Sequence, residues 1–133
     1  MAKMAEPIRI LLADDDETFR RSTADLLRQQ GYACDDVRTA QEARHRLATA
    51  RYDVFICDIR MPGNAELELL DWLAARPDLA QATILITGFP SLQVAIRSID
   101  LSMTDYLVKP FEFARLVEAV RAVVAKSRGA SPS

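Results

Sequence analysis

Five short apolar runs, each separated from the next by a stretch with helical periodicity, restrict what this chain can fold into more than any other feature. The runs are Ile8 to Ala13, Ala33 to Val37, Val54 to Asp58, Thr83 to Thr87 and Asp105 to Val108. Short, continuous apolar segments of this kind read as buried strands. Between them, Glu17 to Gln30 carries Phe19, Leu26 and Leu27 on one face, Ala40 to Ala50 carries Ala43 and Leu47, and Leu67 to Ala75 carries Leu70, Trp72 and Leu73. Ser91 to Leu101 groups Leu92, Ala95, Ile96 and Ile99, and the last helix groups Phe113, Leu116, Val117, Val120, Val123 and Val124. Each grouping is the apolar stripe of an amphipathic helix. Gly31 is placed to stop the first of them. Strict alternation with unbroken apolar strands predicts an α/β, doubly wound parallel sheet, because right-handed crossovers lay helices on both of its faces.

A chain of 133 residues, 50% apolar and 27% charged, is sized for one domain with one core. Residues 7–127 form that domain; 1–6 are an N-terminal tail, and 128–133, which include GASPS, are a C-terminal tail or the start of a linker. The formal net charge of -2 gives no electrostatic reason for direct nucleic-acid binding or for an anionic membrane as partner. No apolar run approaches the roughly 20 residues of a membrane span, and MAKMAEP lacks the apolar centre of a signal peptide, so a cytoplasmic location is expected. Cys34 and Cys57 fall in strand segments without metal-type spacing and read as small buried thiols.

In an open parallel sheet the functional crevice lies beyond the carboxyl ends of the strands. The first strand runs into Asp14, Asp15 and Asp16, the third ends in Asp58, the fourth in Thr87, and the fifth is followed by Lys109 and Pro110. One aspartate of the triple is explained as a helix N-cap before Glu17. Carboxylates gathered in one crevice resist ionising beside each other and need a compensating cation, and an all-oxygen donor set suits Mg²⁺ with several retained waters.

These residues carry a family resemblance. The acidic pair in LLADDDE, the aspartate in ICDIRMPG, the hydroxyl in LITG, and the aromatic and lysine in DYLVKPF stand in the order and at the spacing of the receiver domain of two-component response regulators, over about residues 7 to 126. The resemblance implies a flavodoxin-like receiver fold with five strands in the order 2-1-3-4-5 and five helices. It further implies a phosphoprotein of phosphorelay signal transduction that takes a phosphoryl group on Asp58 from a sensor histidine kinase or a phosphotransfer protein. It makes Asp15 a direct Mg²⁺ ligand together with Asp58 and the backbone carbonyl of Arg60, gives Asp14 a role through water, and leaves Asp16 as the cap. Lys109 is similar to the family's lysine on the phosphoryl oxygens, Thr87 to its mobile hydroxyl and Tyr106 to its aromatic switch. A cis peptide between Lys109 and Pro110 is implied too. Signalling, by the same resemblance, passes through the fourth helix, fifth strand and fifth helix to an output domain or a partner, with homodimerisation through that face and transcription control as the family's common use. Such a chain promotes its own phosphorylation and dephosphorylation and is not a turnover enzyme. His45, the only histidine, reads as a solvated residue of the second helix rather than a relay histidine.

The sequence departs from the family pattern in two places. Asn64, Ala65 and Glu66 follow MPG where a hydrophobic residue, an acid and a glycine are usual, leaving Gly63 or Asn64 for any left-handed turn. Ser102 and Met103 replace the commoner glycine and alanine, which is expected to bring Met103 close to the phosphorylation face. A phosphohydrolase on the same fold would want a second acid two residues after the nucleophile, where Arg60 stands. A flavin- or nucleotide-binding module would want a Gly-rich loop where DDDET stands. The linker-like tail makes the chain read as the receiver piece of a longer protein, and KPFEFARLVEAV is similar to receivers that precede transcription-factor output domains; the alternative is a stand-alone receiver acting as a phosphorelay or protein-interaction module.

Overall fold

Burial on both faces is what selects the strands. In the computed structural model, which describes residues 6–61 and 68–127, they are β1 (Arg9–Ala13), β2 (Ala33–Val37), β3 (Val54–Asp58), β4 (Thr83–Thr87) and β5 (Asp105–Val108). All pair in parallel, in the order β2-β1-β3-β4-β5. Every residue of the central strands β3 and β4 is buried. Alternate side chains serve two cores, as the period of two requires. Leu11 and Ala13 join Phe55, Cys57 and Leu85 on one face, and Ile10 and Leu12 join Val54, Ile56, Ile84 and Ile86 on the other.

The helices are α1 (Glu17–Gln29), α2 (Ala40–Thr49), α3 (Glu68–Ala74), α4 (Pro77–Gln81), α5 (Leu92–Asp100) and α6 (Phe113–Ser127). The second core is covered by α1, through Ala24 and Leu27, and by α6, through Leu116, Ala119, Val120 and Val123. The first core is covered by α2 through Ala40 and Ala43, α3 through Leu69, Leu70 and Leu73, and α5 through Val94. Cys34 and Cys57 are buried and free, with both thiols pushed above their ordinary range by burial. No helix among the described residues is long and apolar enough to cross a membrane.

Among the described residues there are six helices, one more than the resemblance implies. The extra one, α4, is a five-residue turn that begins on Pro77 and buries Ala80. Proline suits the first turn of a helix because the N–H it lacks has no intrahelical partner there, but a segment this short has too few residues to show an apolar period.

Three further expectations are corrected. The apolar stripe of α5 does not face the core: Leu92, Ile96 and Ile99 are 78%, 50% and 75% exposed, and the buried residues are Val94 and Ser98. On α1, Leu26 is exposed and Arg20 is buried in its stead. Met103 lies away from the strand ends that carry the acidic residues. Its N–H donates to Ser98 O at 3.0 Å, and the next residue, Thr104, bonds Thr83 O at the opposite, N-terminal end of β4. Ser102 itself sits at φ 58°, closing α5 with bonds from its own N–H to Ile99 O and from Met103 N–H to Ser98 O. That is the conformation and bonding pattern in which helices commonly end on glycine. The turn through Gly63, Asn64, Ala65 and Glu66, and the start of α3 at Leu67, lie outside the described residues.

Candidate functional site

Strand register assembles the acidic residues. Ala13 pairs with Cys57, so Asp14 and Asp58, each the next residue on its strand, emerge side by side at the carboxyl edge of the sheet. Asp58 pairs with Ile86, and Thr87 pairs with Val108, which places Thr87 and Lys109 one step further along. The chain leaves β1 for β2 on one side and returns to β3 on the other, and at such a switch point a crevice opens between the loops.

One carboxylate oxygen each from Asp14, Asp15 and Asp58 can be chosen so that all three lie within 4.8 Å of one another. Asp14 is fully buried, Asp58 nearly so at 6%, and Asp15 exposed. Lys109 Nζ donates to Asp14 Oδ2 at 2.6 Å and, more weakly, to Asp58 Oδ2 at 3.5 Å. The N–H of Arg60 donates to Asp58 Oδ1 at 2.9 Å. Burial, reinforced by the negative charge of Asp14, pushes the Asp58 carboxyl up to about 6 against the pull of Arg60 N–H and Lys109. Burial acts on Lys109 the other way, but the hydrogen bond and charge of Asp14, helped by Asp58, outweigh it and hold the ammonium above its ordinary value.

Asp16 does what its position suggests and caps α1, its Oδ1 accepting from Phe19 N–H at 3.1 Å. Thr87 is buried, with its Oγ1 accepting from Phe89 N–H at 3.0 Å. Tyr106 is half-buried on β5 against the first core, and its hydroxyl accepts from Ser91 N–H, the N-cap of α5, at 3.2 Å. Thr87 and Tyr106 thus flank the segment that leads into α5, while the acidic residues and Lys109 share one crevice. The Lys109–Pro110 peptide is cis. His45 is exposed on α2, as expected.

Two supporting residues, Phe19 and Phe111, are not legible as such in the sequence. The Lys109 ammonium rests 4.2 Å from the centre of the Phe19 ring, and Phe19 in turn meets Phe111 edge-on, with 6.0 Å between centroids. A cation over an aromatic face is attracted by the ring quadrupole, so Phe19, backed by Phe111, adds to the hold of the carboxylates on the ammonium. In the sequence Phe19 reads only as an apolar face residue of α1; its place one turn after the acidic triple is the available signal. Across the mouth of the crevice, the Arg60 guanidinium stacks 4.8 Å over Phe89, joining the residues two beyond Asp58 and two beyond Thr87.

The three carboxylates form an all-oxygen donor set that the half-buried Lys109 ammonium only partly neutralises, which fits a hard divalent cation such as Mg²⁺ and not a soft transition metal.

Comparison with known proteins agrees with this geometry. The family described as the response regulator receiver domain matches residues 10–121. The transcriptional regulatory protein FixJ of Azorhizobium caulinodans is 34% identical over 132 residues, covering 93% of this chain and 58% of FixJ. The transcriptional regulatory protein PmrA of Pectobacterium parmentieri is 29% identical, covering 95% of this chain and 56% of PmrA. The chain therefore spans little more than half the length of these curated relatives. Among solved structures, a CheY-like receiver domain protein of Methanospirillum hungatei superposes with a TM-score of 0.85 at 26% identity, covering 95% of this chain and all of that one. The response regulator TrrA of Thermotoga maritima, solved in complex with Mg²⁺ and BeF, superposes with a TM-score of 0.75 at 30% identity, covering 87% of this chain and 98% of that one. The chain belongs to the response regulator receiver domain family.

Proposed function

We propose that this receiver accepts a phosphoryl group on Asp58 from a phosphohistidine of a sensor histidine kinase or phosphotransfer protein. The observation that carries the reading is the convergence of Asp14, Asp15, Asp58 and Lys109 at the ends of three different strand segments, with Asp58 buried beside a lysine that reaches both acids. A carboxylate oxygen of Asp58 attacks phosphorus while the phosphorus–nitrogen bond of the donor breaks, and the departing imidazole nitrogen keeps the electron pair. Arg60 N–H holds the non-attacking oxygen and so orients the carboxylate. Lys109 follows the negative charge from carboxylate to phosphoryl oxygens, a task suited to a flexible point charge. Asp14, Asp15, Asp58 and the Arg60 carbonyl would hold Mg²⁺, which when bound supplies the positive charge that offsets carboxylates and phosphoryl oxygens together. TrrA, described in complex with Mg²⁺ and BeF, supports that assignment by its similarity.

The phosphoryl group adds nearly two negative charges and three strong acceptors. Thr87 releases Phe89 N–H and turns its hydroxyl to a phosphoryl oxygen, and Tyr106 gives up Ser91 N–H and moves inward. The consequence is read on the surface of α5, β5 and α6. There the exposed stripe of Leu92, Ile96 and Ile99 is more apolar than a solvated helix needs, and it serves a second copy of the chain or an attached output domain. The similar NtrC4 receiver domain, described as a beryllofluoride-activated dimer (27% identity, TM-score 0.79), supports the first partner. Relatives described as transcriptional regulatory proteins support transcription as the output. The test of the acceptor is mass spectrometry after incubation with acetyl phosphate and Mg²⁺. One phosphoryl group on the wild-type chain and none on Asp58→Ala is expected; full modification of the variant refutes the assignment.

A further inference from the structure

Arg20 is the one arginine of α1 that is withdrawn from water, with 4% of it exposed. Its guanidinium makes two separate commitments. Nε donates to Asp36 Oδ2 on β2 at 2.7 Å, and a terminal nitrogen donates to the backbone carbonyl of Asp14 at 3.0 Å. Asp36 is held in turn by Arg28, 3.5 Å away. A helix that needed only to cover the sheet would place an apolar side chain at this position, since a buried ion pair is weak support for stability compared with well-packed hydrophobic residues. The position of the second hydrogen bond suggests what the charge does.

Asp14 is clamped at each of its polar groups. Its N–H donates to Val37 O at 3.1 Å. Oδ1 accepts from Asp16 N–H at 2.8 Å and Oδ2 from Lys109 at 2.6 Å. Only the carbonyl bond comes from Arg20, and that carbonyl belongs to the peptide joining Asp14 to Asp15. The peptide group is planar through both Cα atoms, so a donor fixed on its oxygen fixes the plane and with it the direction in which Asp15 leaves the backbone. Asp15 is the exposed member of the acidic set and lies in the loop beyond Ala13, the last residue of β1 paired in the sheet.

We propose that Arg20, anchored by Asp36, is a positioning residue for the cation site: it sets the Asp14–Asp15 peptide so that Asp15 faces Asp14 and Asp58. The inference rests on the reading of the acidic set as a Mg²⁺ site. Removing partners that orient metal ligands typically weakens affinity 10- to 100-fold. Arg20→Lys is the sharp variant, because one ammonium at the end of a flexible chain cannot meet Asp36 and the carbonyl together as a planar fork does. Asp58 and Lys109 are untouched, so the change falls on the Mg²⁺ concentration required and not on the phosphorylation rate once Mg²⁺ saturates.

The experiment titrates Mg²⁺ into the full chain by calorimetry and amide shifts, and measures acetyl-phosphate phosphorylation against Mg²⁺. Arg20→Lys and Arg20→Met are expected to raise the half-saturating Mg²⁺ about tenfold or more while the rate at saturation stays within about twofold. Ala24→Gly, which loosens the same helix from a buried position away from the acidic loop, is expected to lower the melting temperature and leave the Mg²⁺ requirement unchanged. Folded Arg20 variants with wild-type Mg²⁺ response overturn the proposal, as does an Ala24→Gly shift as large as theirs, because the effect would then be one of stability alone. Should the Arg20 variants fail to fold, Asp36→Ala on the edge strand decides: a raised Mg²⁺ requirement supports the proposal, and an unchanged one overturns it. A wild-type chain that binds no Mg²⁺ overturns the reading of the site, and this inference with it, in the wild-type arm alone.

Discussion

Replacing Asp58 by asparagine should make the metal-free protein more stable at neutral pH, and the size of the gain can be worked out from the site. The Asp58 carboxyl is raised from 3.8 to about 6, chiefly by burial and with Asp14 adding to it. A difference of about two units at 1.36 kcal/mol each corresponds to about 3 kcal/mol. The sign follows from where the proton binds more tightly. Between pH 3.8 and about 6 the folded state holds more protons than the unfolded one, so stability falls as pH rises through that window. The ionised, buried carboxylate therefore costs the fold its full amount above about pH 6 to 7 and nothing below the unfolded value. Asparagine keeps the shape and an oxygen for Arg60 N–H, and Lys109 keeps its shorter bond to Asp14, so little else is lost.

Urea and thermal melts in EDTA at several pH values measure the gain. At pH 8 Asp58→Asn should exceed wild type by about 2–3 kcal/mol, or about 7–10 °C for a chain of this size. The gap should fall to about half by pH 5 and below about 1 kcal/mol at pH 4. Saturating Mg²⁺ should narrow it at pH 8 by stabilising the wild type through mass action. A variant no more stable than wild type at pH 8, or a gap that does not depend on pH, would refute the claim that Asp58 is held ionised against its surroundings.

Two other outcomes follow from particular residues. Ser102→Gly should stabilise the chain by about 0.5–1 kcal/mol in urea melts, because serine at φ 58° carries strain that glycine lacks, partly offset by glycine's freer unfolded state; a loss of stability would show that the Ser102 side chain contributes more than the strain costs. Beryllofluoride should shift amides over residues 91 to 126 and drive dimers in sedimentation, and Ile99→Asp, on the exposed stripe, should abolish the dimers without changing phosphorylation; shifts confined to α1 and α2 would refute the signalling surface.

How much of this was legible in the sequence differs from element to element, for physical reasons. The strands and the acidic set could be read because a parallel strand buried on both faces tolerates little but apolar residues, so a charged residue at its end stands out: Asp14, Asp58 and Lys109 each follow or close such a run. Helix faces are less explicit. An amphipathic pattern says that one stripe is apolar, not that the stripe faces the core. On α5 the stripe of Leu92, Ile96 and Ile99 satisfies the period while Val94 and Ser98 are what the sheet covers. The helix is held from other directions, by Tyr106 on its N-cap and by Arg97, which reaches Asp71 of α3 at 2.9 Å. A helix secured at its start and its polar flank can leave its apolar residues outward, and that outward stripe is then surface available to a partner. Arg20 is the converse case. A charged residue on a helix reads as solvated, and nothing local to α1 indicates that Asp36, sixteen residues on, and the Asp14 carbonyl will enclose it. Both misreadings come from the same limitation: periodicity reports the chemistry of a helix surface, whereas the neighbours that decide its orientation are supplied by strands and loops distant in sequence.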